Sequence, residues 1–143
     1  MNTDTYTDIR KIDDFPSFHD AELYGVEHDP RARSVALRFR RAGGEFETLK
    51  FSGLIAQRMI DFAGQNVASR LLISHRYAFT LVEIRKWIQW IDSRDDSTAA
   101  VTSEERGQEY MRDFAAGRRM LFVLEPSCGA EMAILCESVS LGQ

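Results

Sequence analysis

Three side chains crowded near the start of the chain are of the types that metal or acid–base chemistry needs: His19, Asp20 and Glu22, in the run Phe18-His19-Asp20-Ala21-Glu22. Carboxylate oxygens and an imidazole suit a hard metal ion, and a carboxylate beside an imidazole can pass a proton. Ligands on one strand face sit two residues apart and on one helix face four apart. Only Asp20 and Glu22 meet the first spacing, and no third ligand follows. The spacing therefore favours a structural corner in which His19 and Asp20 bond local backbone; a small metal-dependent or acid–base enzyme built on this corner is the alternative. No G-x-S-x-G elbow or family-specific cysteine signature supplies a nucleophile. Neither G-x-G-x-x-G nor a P-loop is present, and Gly43-Gly44 is a hairpin turn, too short to cradle phosphate. Cys128 and Cys136 lack C-x-x-C spacing and a nearby histidine, so both are expected as reduced thiols, with Cys136 in the core. His28 and His75 fall at expected strand ends. This reading requires no cofactor, no metal and no catalysis.

A second constellation is acidic. Glu105, Glu109 and Asp113 recur every four residues and would line up as one ridge on a helix. Like charges at that spacing cost roughly 0.2–0.5 kcal/mol per pair, partly offset by Arg106 and Arg112, each three residues from Glu109. Glu104 and Glu105 gain from the positive end of the helix, and with Asp92, Asp95 and Asp96 they extend the ridge into a broad negative surface. The plain alternative is a solvated helix face. Trp90 falls opposite the apolar stripe of its own helix, beside Glu83 and Lys86, and is a candidate half-exposed anchor for a partner; a ring lying over a sheet edge is the structural alternative.

The net charge of −4 conceals this segregation: residues 1–30 carry 8 acids and 2 bases, residues 31–91 carry 4 and 11, and residues 92–113 carry 7 and 3. A uniformly basic nucleic-acid binder is thereby disfavoured, and a basic partner suits the acidic patches.

The elements that must hold these groups can be read from periodicity. Ala21 to Asp29 reads as a strand ending in the turn Asp29-Pro30-Arg31-Ala32. Ser34 to Arg41 alternates through Val35, Leu37 and Phe39, and Glu47 to Phe51 returns antiparallel to it. Leu54 to Ala63 reads as a short helix stopped by Gly64. Val67 to His75 is a fourth strand. Thr80-Leu81-Val82-Glu83 is a capping box that opens a helix with Ile84, Trp87, Ile88 and Ile91 on one face. Thr102-Ser103-Glu104-Glu105 reads as a second box, opening a helix that Gly117 ends. Met120 to Glu125 and Glu131 to Val139 are strands apolar on both sides, joined by Pro126-Ser127-Cys128-Gly129.

The expected architecture is one α+β domain, an antiparallel sheet of about six strands with two longer helices packed on it. The 143 residues, 44% hydrophobic and 28% charged, suit one globular domain with a core that needs no metal or disulfide staple. The longest apolar run, Met120 to Leu124, is far shorter than the roughly 20 residues of a membrane span. The start, Met1 to Thr5, has neither a basic n-region nor an apolar h-region, so a cytoplasmic location is expected.

The first half also carries a resemblance. Phe15-Pro16-Ser17-Phe18-His19-Asp20-Ala21-Glu22, followed by Leu37-Arg38-Phe39-Arg40, Leu49-Lys50-Phe51-Ser52-Gly53 and Gly64-Gln65-Asn66, resembles the small immunity proteins of bacterial polymorphic toxin systems and of contact-dependent growth inhibition. The resemblance spans Phe15 to Ile73. It implies a cytoplasmic, non-catalytic protein that binds and neutralises one cognate toxin domain, commonly a nuclease, and that contacts neither nucleic acid nor membrane itself. Because toxin-contacting residues diverge among such proteins, no site residue is carried over. The candidate partner-binding set, Trp90, Asp92, Asp95, Asp96, Glu104, Glu105, Glu109 and Asp113, rests on charge and spacing alone.

Overall fold

A computed structural model describes residues 5–74 and 76–142; the strand-end expectation for His75 and the reading of Met1 to Asp4 lie outside the described residues. The described residues form nine strands and two α-helices: β1 (Thr7–Asp8), β2 (Glu22–Asp29), β3 (Ser34–Arg40), β4 (Phe46–Ser52), β5 (Ala56–Ile60), β6 (Val67–Ile73), α1 (Leu81–Asp92), α2 (Glu104–Ala116), β7 (Met120–Cys128), β8 (Glu131–Cys136) and β9 (Ser138–Gly142). The strands make one antiparallel sheet in the order β1-β9-β4-β3-β2-β6-β7-β8-β5.

The α+β class with two helices on an antiparallel sheet stands, but the sheet has nine strands and not about six. The residues expected to form a helix between Leu54 and Ala63 instead include edge strand β5, which pairs with β8 from Ala56↔Leu135 to Ile60↔Glu131. So short a segment is a marginal helix, whereas pairing satisfies the otherwise open edge of β8. Gly64 is consequently no helix cap, and the left-handed residue of that bend is Asp61 (φ 61°). The single strand expected from Glu131 to Val139 divides into β8 and β9 at Glu137, whose amide reaches the carbonyls of Ser52 and Gly53. β1 is too brief to leave an alternation signal. The strand expected to end at Glu125 runs on to Cys128, with Gly129 (φ 78°) making the turn.

The sheet folds over on itself. Phe51 on β4 and Phe122 on β7 are four strand spacings apart, about 19 Å along a flat sheet, yet their ring centroids are 4.7 Å apart. Two features make the corner. β2 and β6 share one ladder pair, Glu22↔Val67, and the chain passes from β8 into β9 through the bend at Glu137. Gly53 (φ 67°) permits that bend, because a Cβ there would collide with the Glu137 side chain. Inside the fold, Val35, Leu37, Phe39, Leu49 and Phe51 of one half pack with Phe122, Leu124 and Ile134 of the other. Each large side chain fully buried this way contributes roughly 1.5–3 kcal/mol.

The outer face of the second half carries the helices. Ile84, Trp87, Ile88 and Ile91 of α1, with Tyr110 and Phe114 of α2, cover Leu72, Leu121, Val123, Ala133 and Leu135. Strands β7 and β8 are therefore buried on both sides, which accounts for their unbroken apolar runs. The two helices meet at Gly107, where a Cβ would stand 2.7 Å from Arg85 Cγ; only a glycine lets them come this close. The α1 capping box forms as the sequence predicts: the Thr80 hydroxyl accepts from the Glu83 amide and the Glu83 carboxylate accepts from the Thr80 amide. In α2 the cap falls one residue later. Ser103 accepts from the Arg106 amide, while Thr102 is buried with its carbonyl held by Arg85 and its hydroxyl unpartnered. Gly117 ends α2 in the left-handed region (φ 73°), as expected. No helix among the described residues is long and apolar enough to cross a membrane.

Candidate functional site

The acidic segment begins where α1 ends. Ser93 Oγ donates to the Gln89 carbonyl and accepts from the Ala99 amide, and Gln89 Nε2 donates to the Ala99 carbonyl. These bonds pin the loop before α2 to the last turn of α1 and leave Asp95 and Asp96 exposed at its tip.

The seven predicted carboxylates fall into two groups. Three are held by arginines. Asp92 accepts from Arg106 Nη1 at 2.7 Å, a bond that raises the pKa of that guanidinium above its usual value. Asp95, 90% exposed, accepts from Arg58 Nη2 at 3.1 Å. Asp113, 14% exposed, takes Arg118 at 2.9 Å and Arg119 at 3.6 Å, and its backbone carbonyl closes the end of α2. Asp113 therefore serves as a helix-end clamp, and the like-charge conflict expected along the ridge is relieved there by two cations. The other four, Asp96, Glu104, Glu105 and Glu109, are exposed and join no ion pair among the described residues; Glu104 only accepts a long bond, 3.5 Å, from Gln108. Glu104 and Glu105 occupy the first turn of α2, where the helix dipole favours negative charge. Arg94 and Arg112 are exposed nearby in sequence, as is Arg106, which is paired with Asp92, so the free surface is acidic but not purely so.

Trp90 is half-buried, as its position opposite the stripe implies, with its ring edge-on to Trp87 at 5.6 Å. Its surroundings are less acidic than the sequence suggests. Arg58, from the edge strand β5, lies 4.7 Å over the indole and donates to the Trp90 carbonyl. Together with Lys86, Arg94, Asp95 and Glu131 these two residues line a groove of about 390 Å³. Arg58 is thus the link between the Trp90 groove and the acidic loop. Local spacing could not have revealed it, because it lies 37 positions from Asp95 and in a segment expected to be helical.

The His19 corner is an open turn. His19 Nδ1 is 3.3 Å from Asp20 Oδ2, with the two side chains 68% and 61% exposed. Asp20 adopts φ 63°, its amide donates to the Ala68 carbonyl, and the His19 amide donates to Ser17 Oγ. These bonds are made by the two backbone amides; among the described residues the His19 and Asp20 side chains meet each other and not the local backbone that the sequence suggests for them. Glu22 enters β2 beside Arg40 of β3. Among the described residues, no three His, Cys, Asp or Glu side chains come together to hold a metal ion. Cys128 is exposed and Cys136 buried, both as free thiols.

One feature had no sequence signal: a mainly apolar pocket of about 420 Å³ between the start of α1 and the end of α2, lined by Tyr77, Phe79, Ile84, Met111 and Phe114. Tyr77 closes one side, its hydroxyl donating to Glu83 at 2.7 Å. The bond from the Thr80 amide, seconded by this one from Tyr77, keeps the Glu83 carboxyl below its ordinary pKa.

A scan against models of protein families, a search of curated proteins and a search of solved structures find no match to the chain.

Proposed function

We propose that this chain neutralises a cognate basic toxin domain in the cytoplasm, most simply a nuclease, by occluding the toxin's cationic cleft with the acidic surface at the start of α2. The supporting observation is that Asp96, Glu104, Glu105 and Glu109 are exposed and, among the described residues, have no cation to hold them, on a segment anchored by its caps and by the Ser93 and Gln89 bonds. The resemblance of the first half to immunity proteins adds to this reading.

A nuclease cleft must be electropositive to hold phosphates, so carboxylates on a rigid helix can take the place of the nucleic acid. Complementary charge steers encounter toward rates on the order of 10⁸–10⁹ M⁻¹s⁻¹ at low salt, well above a neutral encounter. Asp92, Asp95 and Asp113 belong to the same acidic field, but their arginine partners reduce what they offer. Their main work is to hold the loop and the end of α2 in place. Trp90, already half out of solvent beside Asp95, supplies an apolar anchor at the margin of the surface.

The direct experiment is co-expression of this chain with the toxin domain encoded beside it, with growth and complex formation as readouts. Rescue and a stable complex are expected. Glu105→Lys with Glu109→Lys should slow association about tenfold or more at low salt and flatten its salt dependence. Unchanged kinetics would place the interface elsewhere, and failure to bind or rescue would remove the reading.

A further inference from the structure

The basic stretch between residues 31 and 91 takes little part in the acidic surface, and the fold gathers some of it on a sheet face that neither helix covers. On β3, β4 and β9 the inward side chains, such as Leu37, Phe39, Leu49 and Val139, are fully buried, so the residues between them form the opposite face. On these three strands that face carries three cations, Arg38, Arg40 and Lys50, and no carboxylate. None of the three joins an ion pair among the described residues. Two lie against rings: Arg38 is 4.0 Å from the centroid of Phe46, and Lys50 is 5.5 Å from that of Tyr6.

Small residues form a floor between these groups. Gly25 stands opposite Arg38, Thr48 lies on its other side, and with Ala36, Glu27 and Tyr6 they line a shallow trough of about 340 Å³. Gly142 lets the Tyr6 ring lie down on the sheet, since a Cβ there would come within 2.7 Å of it, whereas a Cβ on Gly25 would meet nothing within 4 Å. Tyr24 is extruded by the bulge between Leu23 and Gly25; it is 50% exposed and packs edge-on against Phe46 at 5.1 Å. The acids of this side lie on the neighbouring strands, with Glu22 opposite Arg40 and Glu27 lining the trough. Glu22, Glu27 and Asp29 lie along β2, and Asp8 on β1 is bonded to Arg10.

We infer that this face binds single-stranded nucleic acid along β3, β4 and β9. Cations that track a phosphate backbone, with aromatic rings beside them on which bases can stack, are the two requirements of a single-strand platform. Arg38 and Arg40, two residues apart on one strand, project from the same face about 7 Å apart. The border of acids on β2 confines a phosphate chain to the central strands. A duplex hides its bases from Tyr24 and Tyr6, and an acidic peptide would use the cations but leave both rings idle. The mean charge of the chain disfavours a nucleic-acid binder; the inference concerns β3, β4 and β9, whose outward face carries three cations and no carboxylate.

The test is fluorescence anisotropy of a fluorescein-labelled oligothymidylate of about 12 nucleotides titrated with the full chain. Saturable binding is expected, with a log–log salt slope of about −2, the value for three phosphates of a single strand. Arg38→Glu with Lys50→Glu should abolish it. Tyr24→Ala should weaken it about tenfold while Tyr24→Phe preserves it. Gly25→Leu, which has open room over the strand, should block the trough without lowering the melting temperature, and should leave capture of the toxin domain intact. The inference is overturned by absence of saturable binding at low salt, by indifference to Tyr24→Ala and Gly25→Leu, or by equal competition from polyglutamate, which would mark a site for acidic peptides.

Discussion

The two halves of the folded sheet are built from the same kind of strand but solve different problems. β7 and β8 are buried on both faces, by the shared interior on one side and by α1 and α2 on the other, and they read as unbroken apolar runs from Met120 to Leu124 and from Met132 to Cys136. β3 and β4 bury one face, and their other face carries Arg38 and Arg40 in the open with Thr48 and Lys50 half-buried between strands. The helix-covered half places the acidic segment by fixing α1 and α2. The bare half leaves a sheet face free for contact. Both halves share one interior; the helix-covered half buries a second face as well, while the bare half keeps its second face accessible.

That contrast can be broken most sharply at the residues joining the halves. Phe122→Ala removes the ring that meets Phe51 in a fully buried position and should cost about 3–5 kcal/mol in urea denaturation, with one cooperative transition. A second, separate transition would mean that the halves do not share a core. Leu121→Ala, on the helix-covered face, should cost about 2–5 kcal/mol, whereas Thr48→Ala on the bare face should stay within about 0.5 kcal/mol. Equal losses at the two positions would erase the distinction between the halves.

The helix caps sharpen the comparison at a smaller scale. Thr80→Ala dismantles a reciprocal capping box and should cost about 1–2 kcal/mol, while Ser103→Ala removes one hydroxyl acceptor and should cost about 0.5–1 kcal/mol. Thermal melts of the two variants order them, and a larger loss at Ser103 would contradict the one-sided cap.

A pH effect follows from the core. Burial pushes the Cys136 thiol up to about 12 from 9.0, only partly opposed by hydrogen bonding with the Ser138 backbone. The unfolded chain gives up this proton near its ordinary pKa while the folded chain keeps it to higher pH. The contribution is therefore complete below about 9 and is lost as pH rises toward about 12. Comparing urea midpoints of the natural chain and Cys136→Ala at about pH 8 and about pH 10.5 isolates the effect. The natural chain should lose more stability over this interval than the variant does, and equal losses would contradict it.

Much of this arrangement was legible in the residues. The alternation of Val35, Leu37 and Phe39 gave β3, the Thr80 box gave the start of α1, and Gly117 gave the end of α2, because each signal is local. β5 escapes a local reading because the stretch Leu54 to Ala63 with Gly64 after it has the form of a short capped helix, and only the open edge of β8, seventy-odd positions later in the chain, decides in favour of a strand. The α2 cap falls one residue later because Thr102 is drawn into the interior, where Arg85 of α1 holds its carbonyl. For the acidic segment, charge and spacing located the carboxylates but could not say which were free: Asp95 is held by Arg58 and Asp113 by Arg118 and Arg119. Pairing across the fold is set by packing, and packing is what a linear pattern does not contain.

The decisive experiment follows association of this chain with the neighbouring toxin domain by stopped flow across a salt series, for the natural chain and for Glu105→Lys with Glu109→Lys. A fast, steeply salt-dependent rate that the reversal slows about tenfold, with growth rescue lost in parallel, is the expected result. A rate indifferent to both salt and the reversal, or the absence of any complex, would contradict neutralisation through the acidic face.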